Sequence, residues 1–189
     1  MDDKKRAIAL SAMYVFQKNG MEKTTVSAIV KRAGIAQGTF YLYFPSKLSV
    51  MPAIASILVE KTMDEFAENN RKNAPLTDQL NVLIDTVFSI TRHYHDLYAM
   101  LFVGLGSSKQ MNQWETIYEP YYHTVGQIIE KAQKKREMNP ALHAHETAVM
   151  LIGFIESAAD QLFLFDHADE TAVEGKKQDL LNLLLHGIE

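Results

Sequence analysis

Gln37, Thr39, Tyr41 and Tyr43 bring an amide, a hydroxyl and two phenols into one short stretch, with Phe40 and Phe44 set four apart between and beside them. Two phenylalanines at helical spacing can point into a core while the polar tips point elsewhere. Such a helix suits a DNA groove better than it suits bond making. Gln37 is the best reader of a base edge, because a glutamine can bond adenine in bidentate fashion. Thr39 can bond a phosphate or touch a thymine methyl, and Tyr41 and Tyr43 offer hydroxyls better matched to phosphate than to bases. Gly38 lets a backbone approach closely. Thr25 and Lys47 lie just before one helix and at the start of another, where a helix-start N–H, a hydroxyl and an ammonium all suit phosphate oxygens. Ser27, Lys31 and residues 4–6 are weaker candidates. Taken singly, these tyrosines read as half-buried aromatics and the lysines as a solvated face; the whole arrangement reads as a nucleic-acid surface.

These groups need a scaffold, and the flanking residues supply one. Val26, Ile29, Val30 and Ala33 fall at i, i+3, i+4 and i+7, which predicts a helix over 26–33 with Thr25 as its N-cap. Gly34 gives the corner, Ile35 tucks under it, and a second short helix spans 37–44. Pro45-Ser46 ends that helix, with Ser46 placed to cap the next. Upstream, Ile8, Ala12, Val15 and Phe16 share one face of a helix over 3–19, which stops at Gly20.

The segment GIAQGTFYLYFPSK closely resembles the helix-turn-helix of the TetR family of bacterial transcriptional regulators. In that family a Gly-apolar-x-x-Gly-Thr-aromatic/Leu-Tyr-x-x-Phe-x-x-Lys run closes the DNA-binding domain. Gly34, Ile35, Gly38, Thr39, Phe40, Tyr41, Phe44, Ser46 and Lys47 all match. The motif covers roughly the first quarter of the chain; the rest is similar only in length and helical character. The resemblance implies an all-α protein of about nine helices. It implies a DNA-binding domain over 1–48, with the helix-turn-helix at about 25–44, and a ligand-binding and dimerisation domain over 49–189. It also implies an inducer whose binding shifts the fourth helix and spreads the two recognition helices of a dimer.

The remaining sequence reads as helix throughout, with no convincing strand alternation. A fourth helix runs to about 70 with Pro52 near its start. Further helices are expected over 77–93, 97–105 and 112–137, the last kinked at Pro120. Asn139-Pro140 reads as an N-cap followed by proline at the first helical position, opening an eighth helix to about 165. A ninth covers 170–187. Ala148, Leu151, Ile152, Ile155, Ala159 and Leu162 form one apolar stripe, and Leu180, Leu181, Leu184 and Ile188 another. Leu183 and Leu185 widen the second beyond what one packing face needs. Either these helices are buried in their own core, or they pair with a second copy as a four-helix bundle. The resemblance favours a homodimer, with Leu151, Ile155, Leu162, Leu180 and Leu184 at the contact.

A second site is suggested by aromatic density between residues 88 and 154. A domain core explains most of these residues. Tyrosine and tryptophan also bring polar tips that suit an aromatic or lipophilic small molecule, and Phe88, Tyr98, Phe102, Trp114, Tyr118, Tyr122 and Phe154 are the candidate lining.

Bulk properties narrow the function further. The net charge of −4 argues superficially against nucleic acid, yet residues 1–50 hold eight basic and three acidic side chains, a net of +5, and the remainder is −9. Such asymmetry turns the basic end toward a polyanion. The absence of cysteine excludes disulfides, thiolate nucleophiles and cysteine-ligated metal. The start KKRAIALSAMYVF imitates a signal peptide but has no small-residue cleavage site after it. No apolar run approaches the ~18 residues of a membrane span, so a cytoplasmic protein is expected. His93-x-His95 and His143-x-His145 point apart on a helix and cannot chelate together. Gly104-Leu-Gly106 lacks the lysine and the strand of a phosphate loop, and no nucleophile elbow occurs. No catalytic residue, metal or cofactor is expected. The sequence therefore predicts a ligand-released homodimeric repressor on a palindromic operator. One alternative is the same fold acting as an activator or a ligand-independent regulator; the other is an all-helical ligand-binding protein or enzyme with no DNA-binding activity.

Overall fold

The computed structural model describes residues 1–104, 108–166 and 168–186, with side chains throughout except at 102–104 and 108–113. Among the described residues there are nine α-helices and no strand. They form two compact units, Met1–Val59 with Asp96–Ile117, and Glu60–His95 with Tyr118–Glu189.

In the first unit, α1 (Asp3–Lys23) is opened by the Asp2 carboxylate, which accepts the Lys5 N–H at 2.9 Å. At Gly20 the backbone turns to φ 75°, so the helix kinks where a stop is expected and then makes one further turn. The helices α2 (Val26–Ala33) and α3 (Gln37–Tyr43) follow, α2 packing on α1 and α3 on α2. Ile8, Phe16, Ile29, Phe40, Phe44 and Ile54 are fully or almost fully buried in this unit. Ser46 and Ser49 cap reciprocally: the Ser46 N–H donates to Ser49 Oγ at 3.1 Å and the Ser49 N–H to Ser46 Oγ at 3.2 Å. A 3₁₀ turn (Leu48–Val50) then leads into α4 (Met51–Asn69).

In the second unit α5 (Leu76–His93) packs on α8 (Ala144–Asp160) and α9 (Glu170–His186), and its first N–H donates to Glu137 Oε2 at 3.0 Å. In sequence α5 is followed by α6 (His95–Gly104), which from Asp96 on belongs to the first unit, and by α7 (Ser108–Lys134), which passes from the first unit to the second after Ile117 and has Pro120 inside it. The end of α8 widens into a π turn (Gln161–Asp166).

Two expectations need correction. Asn139-Pro140 does not open α8, which starts at Ala144 with His143 as N-cap. Asn139 Oδ1 instead accepts the Ala141 N–H at 2.9 Å, and Gln133 Nε2 donates to the carbonyls of Asn139 (3.0 Å) and Leu142 (2.8 Å). An Asx turn has replaced the helix start, the competing use of the same side chain. The second correction concerns length. Ala144–Asp166 is 23 residues long, with a window of mean hydropathy 1.6, enough by length and composition to cross a membrane. One face of it is buried against α5 and α9, which accounts for part of that apolarity.

Leu151, Ile155, Leu162, Leu180 and Leu184 are buried inside their own unit. Their stripe is used up by the chain itself, so it cannot be the surface offered to a second copy. The uncovered apolar side chains on these helices are others: Met150, Phe154 and Phe165 along α8 and its π turn, and Leu183 on α9.

Candidate nucleic-acid interface

The turn between α2 and α3 rests on one backbone requirement. Gly34 adopts φ 66° and ψ 33°, a left-handed position where a Cβ is strained, and its N–H and that of Ile35 both close onto the Val30 carbonyl. Thr25 Oγ1 accepts the Ala28 N–H at 3.2 Å, which leaves its own hydroxyl proton to donate outward. Thr25 and Ser27 are both exposed, as are Lys31 and Arg32 at the far end of α2. The Arg32 guanidinium lies 3.2 Å over the Tyr14 ring, a cation–π contact that ties α2 to α1.

Phe40 and Phe44 face inward with ring centroids 5.7 Å apart, and Tyr41 meets Phe40 edge-on at 5.5 Å. The solvent face of α3 consists of Gln37, Gly38, Tyr41 and Leu42, while Thr39 and Tyr43 are half-buried. Tyr43 therefore leaves the outer face on which the sequence placed it. Two residues beyond Tyr41 on a helix, it points well away from it and lines a groove of about 540 Å³ with Lys5, Phe44, Ser49 and Pro52.

Lys47 is also corrected. Its ammonium donates to the carbonyls of Met21 (2.7 Å), Thr24 (2.9 Å) and Glu22 (3.4 Å). Three donors on three backbone acceptors fasten the end of α1 to the start of α4 and leave none for phosphate. Leu42, which is not among the residues expected on this face, is 83% exposed.

A Cβ built on Gly38 meets nothing within 4 Å. The fold does not require glycine there, and a helical glycine costs about 0.5–1 kcal/mol relative to alanine. Gly38→Ala is expected to raise the stability of the protein by about that amount in chemical denaturation while weakening its binding to duplex DNA. A variant that is both more stable and equally tight on DNA would show that nothing approaches this position.

The aromatic residues expected to line a ligand site are divided between the two units, with Phe88, Tyr118, Tyr122 and Phe154 in the second. Phe88 is buried, 6.1 Å from Phe163 in a T-shaped pair, beneath a groove of about 580 Å³. The ion pairs Arg92–Glu170 (2.6 Å) and Lys177–Asp85 (2.7 Å) line that groove. Tyr118 belongs to another cluster, with Tyr122 at 5.6 Å and Tyr121 at 6.3 Å between ring centroids. Tyr98 and Trp114 are half-buried in the first unit, and the side chain of Phe102 lies outside the described residues. Phe154 is 48% exposed on the outer side of α8, which removes it from an interior lining.

The structure adds a residue that the sequence could not reveal. The Tyr118 hydroxyl donates to Glu156 Oε1 at 3.1 Å. Burial pushes the Glu156 carboxyl up to about 8; the Tyr118 bond opposes this, and Asp160 one turn further reinforces it. Asp160 is itself raised to about 6 by burial. Among the described residues no three histidine, aspartate or glutamate side chains gather to hold a metal ion.

A glycine-cornered pair of short helices on a three-helix core, with an uncommitted polar and apolar face on the second, defines a helix-turn-helix DNA-binding protein. Residues 8–54 match the family of bacterial regulatory proteins described as the tetR family, and residues 80–188 match the tetracyclin repressor-like C-terminal domain. The chain belongs to the TetR family of transcriptional regulators, a ligand-responsive repressor family, and is not an enzyme. It is similar to the HTH-type transcriptional regulator YvdT of Bacillus subtilis, with 36% identity over 177 residues, covering 94% of this chain and 91% of that one. The fatty acid metabolism regulator protein of Bacillus subtilis is 23% identical over 180 residues, covering 94% and 92%. Among solved structures, the fold is shared with FadR of Bacillus subtilis in complex with stearoyl-CoA (TM-score 0.76, 23% identity, covering 97% and 98%). It is shared too with FadR of Thermus thermophilus in complex with lauroyl-CoA (TM-score 0.77, 20% identity, covering 98% and 95%).

Proposed function

We propose that this regulator is a cytoplasmic homodimeric repressor that leaves an approximately palindromic operator when an acyl-CoA thioester binds. In this reading residues 1–48 meet DNA, and 49–189 hold the effector and the dimer contact. The observation that carries the operator half is the outer face of α3: Gln37, Gly38 and Tyr41 are exposed on a helix whose other side is sealed by Phe40 and Phe44. Thr25 and Ser27 on α2 supply hydroxyls for phosphate. The effector half is supported by the two FadR structures that hold acyl-CoA molecules, and it narrows the aromatic or lipophilic ligand expected from sequence.

The dimer is supported by the uncovered side of α8. Met150, Phe154 and Phe165 are exposed there, and Gly153 has open space where a Cβ would stand. A second copy laid on this face gives apolar partners to side chains that a single chain leaves in water. Operator binding by such a dimer requires its two copies of α3 to reach successive major grooves, about 34–36 Å apart.

The test is a titration of the purified protein onto the promoter beside its own coding region. Binding is expected at low salt and is expected to weaken steeply as salt rises. Palmitoyl-CoA should lower affinity by about 5–150-fold, the range of ordinary allosteric coupling, with free CoA and palmitate inert. An intact dimer that binds no promoter duplex at low salt would favour the alternative of a ligand-binding protein without DNA-binding activity. Binding that is insensitive to acyl-CoA would remove the effector half alone.

A further inference from the structure

Among the described residues Leu42 is the most exposed large apolar side chain, at 83%. A lone leucine on a surface ordinarily needs no explanation. Its position makes this one different. It stands at the C-terminal end of the face that α3 presents outward, one residue from Tyr41, itself 49% exposed, and four residues after Gly38. A helical side chain leans back toward the turn that precedes it, so the isobutyl group of Leu42 lies on the same side of the helix as position 38 without closing over it. That position has no side chain, and nothing stands within 4 Å of where one would be. The result is a shallow step, backbone at one level and two methyl groups at the next, flanked by the Gln37 amide and the Tyr41 phenol. A duplex offers few apolar groups to such a step. Along the major-groove edges of the bases the apolar feature is the 5-methyl group of thymine; the remaining groups are hydrogen-bond donors and acceptors.

We infer that Leu42 is a base-reading residue, packing its isobutyl group on the methyl of one thymine in each operator half-site. This rests on the operator reading above, and it adds a specificity element made of dispersion and burial rather than hydrogen bonds. Gln37 sits on the adjacent turn and would read a neighbouring base pair. The contact is worth the burial of about one methyl group and its partner surface, so it tunes sequence choice and leaves phosphate-driven binding intact.

The experiment uses the full-length protein and a duplex recovered by in vitro selection from a random pool. Each thymine of the selected half-site is replaced in turn by deoxyuridine, which deletes only the methyl group. Wild type is expected to lose about three- to fivefold in affinity at one thymine per half-site. Leu42→Ala, a surface change that leaves the core untouched, is expected to bind the thymine and uracil duplexes equally and to keep the wild-type salt dependence. If no thymine is sensitive to the replacement, or if Leu42→Ala shows the same sensitivity as wild type, the inference is overturned. A protein that enriches no duplex at all would instead sink the operator reading, so the two failures are distinguishable.

Discussion

Lys47→Ala is expected to lose operator binding because the DNA-binding unit loosens, with no phosphate contact removed. The ammonium of Lys47 is held by the carbonyls of Met21, Thr24 and Glu22, the ones left over where α1 ends. Thr24, buried beside them, spends its hydroxyl on the Gly20 carbonyl at 2.7 Å and approaches the Val15 carbonyl at 3.3 Å, so it cannot take over. Removing the ammonium leaves part-buried acceptors without donors and a helix end without its counter-charge. Hydrogen bonds to a charged group contribute about 1.5–3 kcal/mol each, and solvent can replace part of that here, which gives a loss of about 2–3 kcal/mol. The single tryptophan, Trp114, lies in the same compact unit, so its fluorescence reports the transition directly. Lys47→Ala should unfold at distinctly lower denaturant concentration. At low temperature, where it remains folded, it should bind DNA with a salt dependence like that of wild type. A phosphate contact predicts the reverse: unchanged stability and a slope reduced by about one counterion. That outcome would return Lys47 to the role first read from the sequence.

The different fates of Gly34 and Lys47 show what a sequence can disclose. Gly34 was legible because the requirement is local: a helix that ends and turns within two residues needs a left-handed backbone, and only a few residue types take it without strain. Phe40 and Phe44 were legible for the same reason, as two positions on one helical face. Lys47 answers to carbonyls more than twenty residues earlier in the chain, and no spacing rule announces them. Tyr41 and Tyr43 share a residue type but not a face, and their separation of two should have divided them at once. The apolar stripes of α8 and α9 failed in another way. Periodicity marks which side of a helix is buried, but a helix packed in its own core and one packed on a second copy carry the same pattern. Leu151, Ile155 and Leu184 satisfy the first need; Phe154 and Leu183, off the stripe, are the ones left in solvent. Helix count and fold class survive such errors because they depend on period and punctuation, whereas partner surfaces depend on what is already covered.

Glu156→Gln is expected to make the protein more stable at alkaline pH, by a margin that vanishes in acid. Burial holds the Glu156 carboxyl near 8 in the folded chain, against 4.5 for an ordinary glutamate. The folded state therefore keeps a proton that the unfolded state gives up. Below about 4.5 both states are protonated and the residue costs nothing. As pH rises from 4.5 through 8, unfolding releases that proton more readily at each step, and stability falls at up to about 1.4 kcal/mol per pH unit until the folded group ionises as well. Asp160, raised from 3.8 to about 6, adds a loss of the same sign at the lower end of this window. Glutamine carries no proton to lose and can still accept the Tyr118 hydroxyl. It should gain about 2–4 kcal/mol over wild type at pH 8 and almost nothing at pH 4.5, the lower figure reflecting the partial exposure of the side chain. Asp160 keeps its own contribution, so the variant retains a shallower decline between about 4 and 6. Tyr118→Phe supplies an independent check, because that hydrogen bond is the one influence holding the Glu156 value down. Its loss should carry the decline to still higher pH. Urea unfolding at pH 4.5, 6 and 8 measures all three proteins. Parallel profiles for wild type and Glu156→Gln would mean that the carboxylate is compensated where it lies, and that the second unit is not as dry around Glu156 as its burial implies.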